Sequence, residues 1–465
     1  MAITLLLSGC ILGGPVVRKV SLPNPPKQVH VPRDHQRILA SYGGAYQESR
    51  LEALIARIVT RLTAASEKPE LRYKVTILNS PAVNAFALPN GQLYVTRGLI
   101  ALANDTAELA SVLAHEMVHV TARHAAIREN QAYQAAMVHR ETGHVMADPY
   151  MGALALAKSK IALATFSRAQ EFEADSVGIG IAARAGFDPE GAARFLTSLD
   201  RNVHLKPNDG RSDPQLLDFI SHPANPERID NAQSHARQQR ATNGGERDRE
   251  TYLTMLDGLL YGDDPNQGFV RGRRYMHPKF GFTFTAPEGF VLENTAQAVL
   301  GLKSGGSQTL RLDVVRVPTE QPLAGYIASG WIENVDPASI EEVSVNGFPA
   351  VTARARSDLW AFRIYLVRFG VEVYRVIFAA KQEGPDADRV FRESFDTFRH
   401  MKLSEIETAK PLRLAVVTVG AEDSVEQLAS RMAVAERQLA HFRVLNGLAP
   451  GQGVNPGDRV KIVVE

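Results

Sequence analysis

The run His115-Glu116-Met117-Val118-His119 combines two imidazoles and a carboxylate at the spacing of a zinc site. At about 100° per residue, an α-helix places His115 and His119 about 40° apart on one face, so both rings can reach one metal ion. Glu116 lies beside that pair, where its carboxylate can act on a water molecule as a general base. The pattern predicts a catalytic zinc helix; the alternative is a coincidental match in a chain that contains 13 histidines.

The helix that must carry these residues has a clear start. Asp105 is a suitable N-cap, and Glu108 stands where a capping box needs an acidic residue, ahead of strong helix formers. His124 lies five residues after His119 and, on a continuous helix, about 180° from His115. We therefore interpret His124 as a helix-end or packing residue and look for the third zinc ligand elsewhere.

A second helix offers that ligand. Ser167 and Gln170 have capping-box spacing, and Glu171 and Asp175, four residues apart, share one face of the helix that follows. A catalytic zinc needs three protein ligands and one open position, so Glu171 completes the set with the two histidines. Asp175 would then orient a ligating imidazole. The alternative for two acids at this spacing is a solvated helix face.

The stretch from about Arg33 to Ala236 resembles the HtpX/BepA-type gluzincin metallopeptidases, whose family also contains the CaaX prenyl proteases. The blocks that carry the resemblance appear in order: Asn84-Ala85-Phe86-Ala87, Tyr94-Val95-Thr96-Arg97-Gly98-Leu99, Glu108-Leu109-Ala110, the HEMVH run, Ser167-Arg168 to Ala174-Asp175, and Ser221-His222-Pro223. The resemblance implies one zinc ion per chain. It also implies that His115, His119 and Glu171 bind the metal, that Glu116 is the catalytic base and that Asp175 supports the ligands.

Three further expectations concern the cleft. By the resemblance, His222 or Arg228 stabilises the oxyanion, or His222 fills the open position of the zinc in a resting state; a structural histidine before proline is the alternative. Asn84, with Ala85 and Phe86, is predicted to form a sheet edge to which an extended substrate adds. The alternative for Asn84 is a turn asparagine.

Composition limits the function classes. The 465 residues contain 52 Lys+Arg and 51 Asp+Glu, a formal net charge of +1, and 45% are hydrophobic. No long basic block is present, so a nucleic-acid binder is not expected. A chain of this size can bury roughly two to four domain cores.

The first residues resemble a bacterial lipoprotein signal. An apolar run ends in Leu7-Ser8-Gly9-Cys10, and Cys10 is the only cysteine, so no disulfide can form within the chain. We expect Cys10 to be lipidated, with residues 1–32 as signal and tether and the outer membrane as the destination. The alternative is a frayed apolar terminus, because no Lys or Arg precedes the run. No apolar stretch reaches the roughly 18 residues that a membrane-spanning helix needs.

The predicted fold class is α+β and multidomain. A mainly helical metallopeptidase domain with a small sheet (33–240) includes helix over 33–65 and a hairpin closed at Asn90-Gly91. A linker with a short helix (241–267) leads to an antiparallel α+β domain (268–403) that resembles the PsbP-like fold. Its predicted strands are Phe280–Ala286, Gln308–Arg316, Pro349–Ala355, Trp360–Phe369 and Val371–Ala380.

Residues 412–465 resemble a LysM module, with Val419-Gly420, Asp423-Ser424-Val425, Leu445-Asn446-Gly447 and Pro456-Gly457-Asp458 in order. The predicted element order is strand, helix, helix, strand. The resemblance implies peptidoglycan as a ligand, although two residues separate Gly420 from Asp423 where the family has Gly and Asp adjacent.

Together these features predict a zinc-dependent endopeptidase of the bacterial cell envelope, periplasmic and lipid-anchored, which cleaves misfolded or unassembled envelope proteins. The first alternative is a chaperone-like outer-membrane protein assembly factor that binds more than it cleaves. The second is a wall-anchoring protein in which the protease is incidental.

Overall fold

The part of the chain that the computed structural model describes comprises residues 33–124, 166–205, 222–239, 244–303, 305–381 and 385–465. The predicted signal and tether at residues 1–32, with Cys10, lie outside these ranges, as does Ser221. Within them, no helix combines the length and the apolar character that crossing a membrane requires.

Helices predominate in the first part of the chain and enclose a small sheet, as predicted. The elements are α1 (Arg33–Ser41), α2 (Ser49–Ala65), β1 (Lys74–Leu78), β2 (Ala85–Ala87), β3 (Gln92–Thr96), α3 (Arg97–Leu102), α4 (Thr106–Thr121), α5 (Arg168–Arg184), α6 (Gly191–Val203), α7 (Pro226–Gln239) and α8 (Arg249–Leu256). The predicted helix over 33–65 is divided into α1 and α2. Gly43 and Gly44 both adopt positive φ at the break (78° and 94°), a conformation that ends a helix.

Both site-bearing helices begin at the predicted N-cap residues, but only α5 has the predicted reciprocal capping box. Asp105 Oδ1 accepts the backbone N–H of Glu108 at 2.8 Å at the start of α4, and Ser167 and Gln170 form a reciprocal capping box at the start of α5. Gly178 brings the two helices close together, because a Cβ at this position would lie 3.1 Å from the backbone nitrogen of His115. A larger residue at position 178 would push α5 away from the zinc helix.

The three-stranded sheet has the order β1-β3-β2, with β1 parallel and β2 antiparallel to β3. The turn at Asn90-Gly91 joins β2 to β3 as predicted, with Gly91 at a φ of 82°. β2 lies at an edge of the sheet among the described residues and contacts α4, so an edge strand borders the helix that carries the two histidines.

The middle region is antiparallel α+β, in agreement with the predicted fold class. One sheet has the order β11-β12-β13-β14-β10-β9-β8 and a smaller one the order β15-β7-β6-β5. The elements are β4 (Leu260–Tyr261), β5 (Phe269–Arg271), β6 (Arg274–His277), β7 (Phe282–Thr285), β8 (Phe290–Asn294), β9 (Val299–Lys303), β10 (Gln308–Arg316), α9 (Leu323–Ile327), a 3₁₀ turn (Pro337–Ser339), β11 (Glu341–Val345), β12 (Phe348–Arg356), β13 (Ala361–Phe369), β14 (Glu372–Ala380), α10 (Pro385–Phe395), β15 (Arg399–His400) and α11 (Leu403–Thr408).

The C-terminal module has the predicted order of strand, helix, helix and strand: β16 (Leu412–Thr418), α12 (Val425–Ser430), α13 (Gln438–Leu445) and β17 (Arg459–Val464). β16 also pairs with β4, so that Leu412 lies opposite Tyr261. The chain therefore leaves the helical part at Tyr261 and returns beside it at Leu412, which makes the middle region an insertion between two paired strands.

The predicted linker at 241–267 and the C-terminal module are both part of the core under the zinc helix. Tyr252, Leu253 and Leu256 of α8 are fully buried, and one hydrophobic cluster joins α2 and α4 to Leu414, Phe442 and Ile462 of the module. The segment differs from a linker because its apolar stripe packs inward between the two regions.

Lys461 fixes the module to the helical part. Its side chain is fully buried, and Nζ lies 2.7, 3.3 and 2.8 Å from the carbonyl oxygens of Ala101, Leu102 and Ala103 at the C-terminal end of α3. An ammonium group has three N–H donors, so this contact satisfies three helix-end carbonyls directly before the start of α4. The module thereby helps to position the zinc helix.

Candidate metal centre

Two helices bring the predicted ligands to one point. His115 and His119 of α4, Glu171 of α5 and His222 offer ligand atoms that all lie within 4.8 Å of one another, and all four residues are predominantly buried. Nε2 of His115 lies 3.0 Å from Nε2 of His119 and 3.6 Å from Oε2 of Glu171. Nε2 of His119 is 3.6 Å from Oε1 of Glu171.

This donor set fits a zinc ion. Imidazole nitrogens and a carboxylate are the ligands that catalytic zinc takes, and the cluster offers at least three of them with little solvent access. Oε2 of Glu171 and Nε2 of His222 are buried and make no hydrogen bond with acceptable geometry, although Nη1 of Arg228 lies 2.8 Å from that Glu171 oxygen. Buried polar atoms without hydrogen bonds are costly, and a cation would satisfy them.

Asp175 lies where an orienting carboxylate was predicted. Its Oδ1 is 2.9 Å from Nδ1 of His115, which leaves Nε2 of that ring directed at the cluster. Nε and Nη2 of Arg228 donate to the two oxygens of Asp175, both at 2.8 Å. Burial alone would raise the pKa of Asp175, but the hydrogen bonds from Arg228 and His115 hold it well below its usual range. The carboxylate is therefore charged and accepts the His115 proton.

The electrostatics of the ligands also favour metal binding. Burial, together with neighbouring His115, lowers the pKa of His119, so this imidazole is neutral and its lone pair is available. For Glu171, burial acts to raise the pKa, but the hydrogen bond with His222 and the charges around it lower the value overall. A neutral imidazole and an ionised carboxylate are the forms that bind zinc.

Glu116 is next to the cluster but is not a member of it. The side chain is buried, and burial raises its pKa to about 8. A dication bound nearby would stabilise the carboxylate and lower this pKa again. An ionised carboxylate beside the metal site can take up a proton from water and return it, as a general base and acid must.

His222 lies inside the cluster. Its Nδ1 is 2.8 Å from Oε1 of Glu171 and 3.2 Å from Nε2 of His115, and its Nε2 is 3.5 Å from Oε1 of Glu116. The ring therefore occupies space between the predicted ligands and the predicted base.

The three donor nitrogens of Arg228 are all engaged with protein atoms. Besides the two bonds to Asp175, Nη1 donates to the carbonyl of Pro223 at 2.9 Å and lies 2.8 Å from Glu171. Its charge stabilises the carboxylates of the site. This contact set favours an orienting role over the predicted contact with an oxyanion.

A cavity of about 60 Å³ adjoins the cluster, and Asn84, Ala85, Glu116 and His222 are among the residues that line it. Asn84 is buried, and its backbone N–H donates to Oγ1 of Thr96 at 3.0 Å. Side chains alternate along a strand, so Phe86 points to the face of β2 opposite to Ala85 and away from the cavity. There its ring stacks on Tyr94 with ring centroids 4.9 Å apart. Phe86 can therefore meet a substrate only through its backbone.

Two aromatic rings contact His119 beside the cluster: His124, which was interpreted as a helix-end or packing residue, and Phe166, for which no role was predicted. His124 is fully buried, with Nδ1 2.8 Å from Nδ1 of His119, and the ring of Phe166 stacks on His119 at a centroid distance of 3.8 Å. The angular argument for His124 assumed a continuous helix, whereas α4 ends at Thr121. The sequence gives little indication of this ending, because Ala122-Arg123-His124 contains neither the glycine nor the proline that usually marks the end of a helix.

Comparison with known proteins adds a family match. Residues 47–236 match peptidase family M48. The chain is 30% identical over 227 residues to the beta-barrel assembly-enhancing protease of Yersinia pestis, which covers 46% of this chain and 45% of that protein. It is 28% identical over 208 residues to the mitochondrial metalloendopeptidase OMA1 of Schizosaccharomyces pombe, covering 42% and 56%. The chain thus spans about half the length of these relatives.

The solved structures that resemble parts of this chain include a PsbP protein. The solution structure of cyanobacterial PsbP (CyanoP) from Synechocystis sp. PCC 6803 aligns at 13% identity and a TM-score of 0.24, over 30% of this chain and 98% of that one. A score this low adds no weight to the predicted PsbP-like fold.

Proposed function

We propose that this chain is a zinc-dependent endopeptidase of the bacterial cell envelope, because residues 47–236 match peptidase family M48. The observation that carries the proposal is the convergence of His115, His119 and Glu171 from two helices, with Glu116 buried beside them. Two relatives of the peptidase part are named as proteases, which supports the same reaction class.

The roles of the residues follow from their positions. His115, His119 and Glu171 would hold a zinc ion, which would supply polarisation of the scissile carbonyl and activation of the attacking water. Glu116 accepts the proton of that water and passes it to the leaving amine. Asp175 holds the His115 ring in the tautomer that keeps Nε2 free for the metal.

The edge strand β2 supports a peptide substrate in extended form. Asn84 and Ala85 line the cavity beside Glu116, and the outer edge of Ala85–Ala87 has no strand partner among the described residues. Main-chain hydrogen bonds to such an edge give affinity with little sequence preference. This suits misfolded or unassembled envelope proteins, and four bacterial relatives are named beta-barrel assembly-enhancing proteases.

Removal of the metal tests the reaction class. A zinc chelator should reduce casein hydrolysis by the full chain by at least about 100-fold, because both carbonyl polarisation and water activation are lost. Added zinc should restore the rate, and a non-chelating isomer of the same compound should leave it unchanged. Continued hydrolysis by protein shown to be free of zinc would rule out the proposed mechanism.

His222 is proposed to close the resting site. Its Nδ1 contacts both Glu171 and His115, so the ring takes a place that the substrate carbonyl needs. This arrangement also favours the alternative function, a chaperone-like assembly factor. With the metal centre closed by His222, an unfolded chain can bind along the cleft before it is cut.

The variant His222→Ala distinguishes closure from oxyanion stabilisation. If the ring closes the site, the variant should hydrolyse casein about 5- to 10-fold faster, because a larger fraction of molecules is competent. His204→Ala, in which an exposed histidine is removed, is the matched control. A decrease of about 100-fold or more would assign His222 to the oxyanion instead.

Localisation and wall binding are proposed from the sequence resemblances. We infer lipidation at Cys10 and peptidoglycan binding by residues 412–465. Cys10→Ser should move the protein from the membrane fraction to the soluble fraction, and the full chain should co-sediment with purified peptidoglycan. Deletion of the module is unsuited to this test because its residues share the core of the peptidase part. Unchanged fractionation, or no co-sedimentation, would refute the respective proposal.

A further inference from the structure

The end of the zinc helix folds back on itself. α4 ends at Thr121, and Arg123 adopts a φ of 56°, the left-handed region that normally favours glycine. The backbone N–H of Ala122 donates to the carbonyl of Val118 at 2.8 Å, which completes the last turn. The reversal places His124 beside His119, instead of on the opposite face of a longer helix.

The His124 ring is held on two sides. Its Nδ1 lies 2.8 Å from Nδ1 of His119, and its Nε2 lies 3.3 Å from Oε2 of Glu173 on α5. The side-chain amide of Gln170 donates to the His124 carbonyl at 3.4 Å. The His124 side chain is only 2% exposed, whereas that of Glu173 is 56% exposed. The contacts therefore run from the metal cluster, through a buried ring, to a carboxylate at the surface.

The proton positions follow from the direction of the lone pairs. Nε2 of His119 faces His115 and Glu171, so it must remain unprotonated to bind a metal. Its Nδ1 then carries the proton and donates to Nδ1 of His124. Because Nδ1 of His124 accepts this hydrogen bond, the proton of the His124 ring is on Nε2, which points at Glu173. Each of the four ring nitrogens of His119 and His124 is thereby either a donor or an acceptor that matches its neighbour.

We propose that His124, backed by Glu173, is a positioning residue that fixes the tautomer and orientation of the zinc ligand His119. Asp175 does the same for His115, so each ligating imidazole has its own hydrogen-bond acceptor. The inference rests on the proposed zinc site and extends it. Removal of such an outer partner weakens metal binding by about 10- to 100-fold. Because Glu173 is exposed to water, its own contribution is smaller than that of His124.

The decisive comparison uses two replacements of the buried ring. His124→Asn retains an acceptor oxygen close to the position of Nδ1, whereas His124→Leu retains apolar volume and removes the acceptor. We expect zinc to bind about 10- to 100-fold more weakly to His124→Leu and about 3-fold more weakly to His124→Asn. Dissociation constants are measured on the metal-depleted full chain by competition with a chromogenic chelator.

The stability of the metal-free proteins separates positioning from packing. Without metal, His124→Leu buries an apolar group and should unfold at a urea concentration at least as high as that for His124→Asn. If His124 acts only through packing, zinc affinity should follow this order of stability. If His124 positions His119, zinc affinity should follow the opposite order, with His124→Asn the tighter binder. Glu173→Gln should weaken zinc binding only about 3-fold, and the exposed residues Glu52 and His204 provide the controls Glu52→Gln and His204→Leu.

The outcomes separate this inference from the proposed function. If the wild-type chain binds zinc tightly and His124→Leu binds it equally well, the positioning role is refuted while the zinc site stands. If the wild-type chain takes up no zinc, the proposed function itself fails. If His124→Leu does not fold, the test uses His124→Asn and Glu173→Gln. The positioning role is refuted if both variants bind zinc within about 1.5-fold of the wild type.

Discussion

Glu116→Gln should lower casein hydrolysis by about 1,000-fold or more while the protein retains its zinc. The amide has the shape of the carboxylate but cannot accept a proton, so the general base is lost and the metal ligands are untouched. Glu116 is buried beside the cluster without belonging to it, and for this reason we expect metal content and activity to separate. The zinc content is measured by elemental analysis, and the rate of hydrolysis is measured with labelled casein.

The control is Glu52→Gln, which makes the same chemical change at an exposed position of α2 and should match the wild type. Activity within about threefold of wild type in Glu116→Gln would overturn the general-base assignment. The same inactive variant tests the chaperone-like alternative. If it prevents aggregation of an unfolded outer-membrane protein, binding is independent of cleavage; if it does not, the alternative is refuted.

Glu171→Ala should lower zinc affinity by more than about 100-fold, since a ligand matters more than an outer partner, whose loss costs about 10- to 100-fold. Loss of the carboxylate removes the only acidic member of the cluster and leaves Arg228 without one of its counter-charges. His222 lies close enough to replace the missing ligand, with Nδ1 3.2 Å from Nε2 of His115. The single variant can therefore retain part of its zinc.

A double variant also removes His222, the ligand that can replace Glu171. Glu171→Ala combined with His222→Ala leaves two histidines, fewer than the three ligands of a catalytic zinc site, and should bind no stoichiometric zinc. His222→Ala alone should keep its zinc and serves as the matched control. Chelator competition on all three proteins gives the affinities. Stoichiometric zinc in the double variant would show that the ligand set is different.

The parts of the site that follow local rules were predictable from the sequence. The i, i+4 spacing of His115 and His119 and the spacing of Glu171 and Asp175 each define a helix face, and both faces meet in the structure. The close approach of the two helices depends on Gly178, where a Cβ would lie 3.1 Å from the backbone nitrogen of His115. Gly180 on the same helix is not needed for this approach, because a Cβ there would meet only the tip of the Arg184 side chain.

Other features depend on contacts that a linear pattern does not contain. The carboxylate of Glu108 accepts the backbone N–H of Asn104 at 2.8 Å, one residue before the N-cap residue Asp105 whose N–H a capping box would use. Lys461 lies more than 350 positions from its carbonyl partners, so nothing near it in sequence indicates burial. His124 is a buried residue just beyond the helix end, but it lies beside His119 instead of about 180° from His115, because the helix ends at Thr121 without a glycine.

The strands of the middle region show the same limit. The strand at Gln308–Arg316 was predicted with its observed bounds, and those at Phe348–Arg356 and Ala361–Phe369 to within a residue or so. Seven strands were not predicted: Leu260–Tyr261, Phe269–Arg271, Arg274–His277, Phe290–Asn294, Val299–Lys303, Glu341–Val345 and Arg399–His400. Each has only two to five residues and is defined by pairing with a neighbouring strand, since short strands have weak patterns of their own.

Anomalous X-ray scattering at the zinc edge, recorded from crystals of the zinc-loaded full chain, tests the central claim most directly. We expect one strong peak about 2.0–2.2 Å from Nε2 of His115, Nε2 of His119 and a carboxylate oxygen of Glu171. A peak that omits Glu171, a peak elsewhere in the molecule, or no peak from crystals grown with excess zinc would contradict the proposed metal centre.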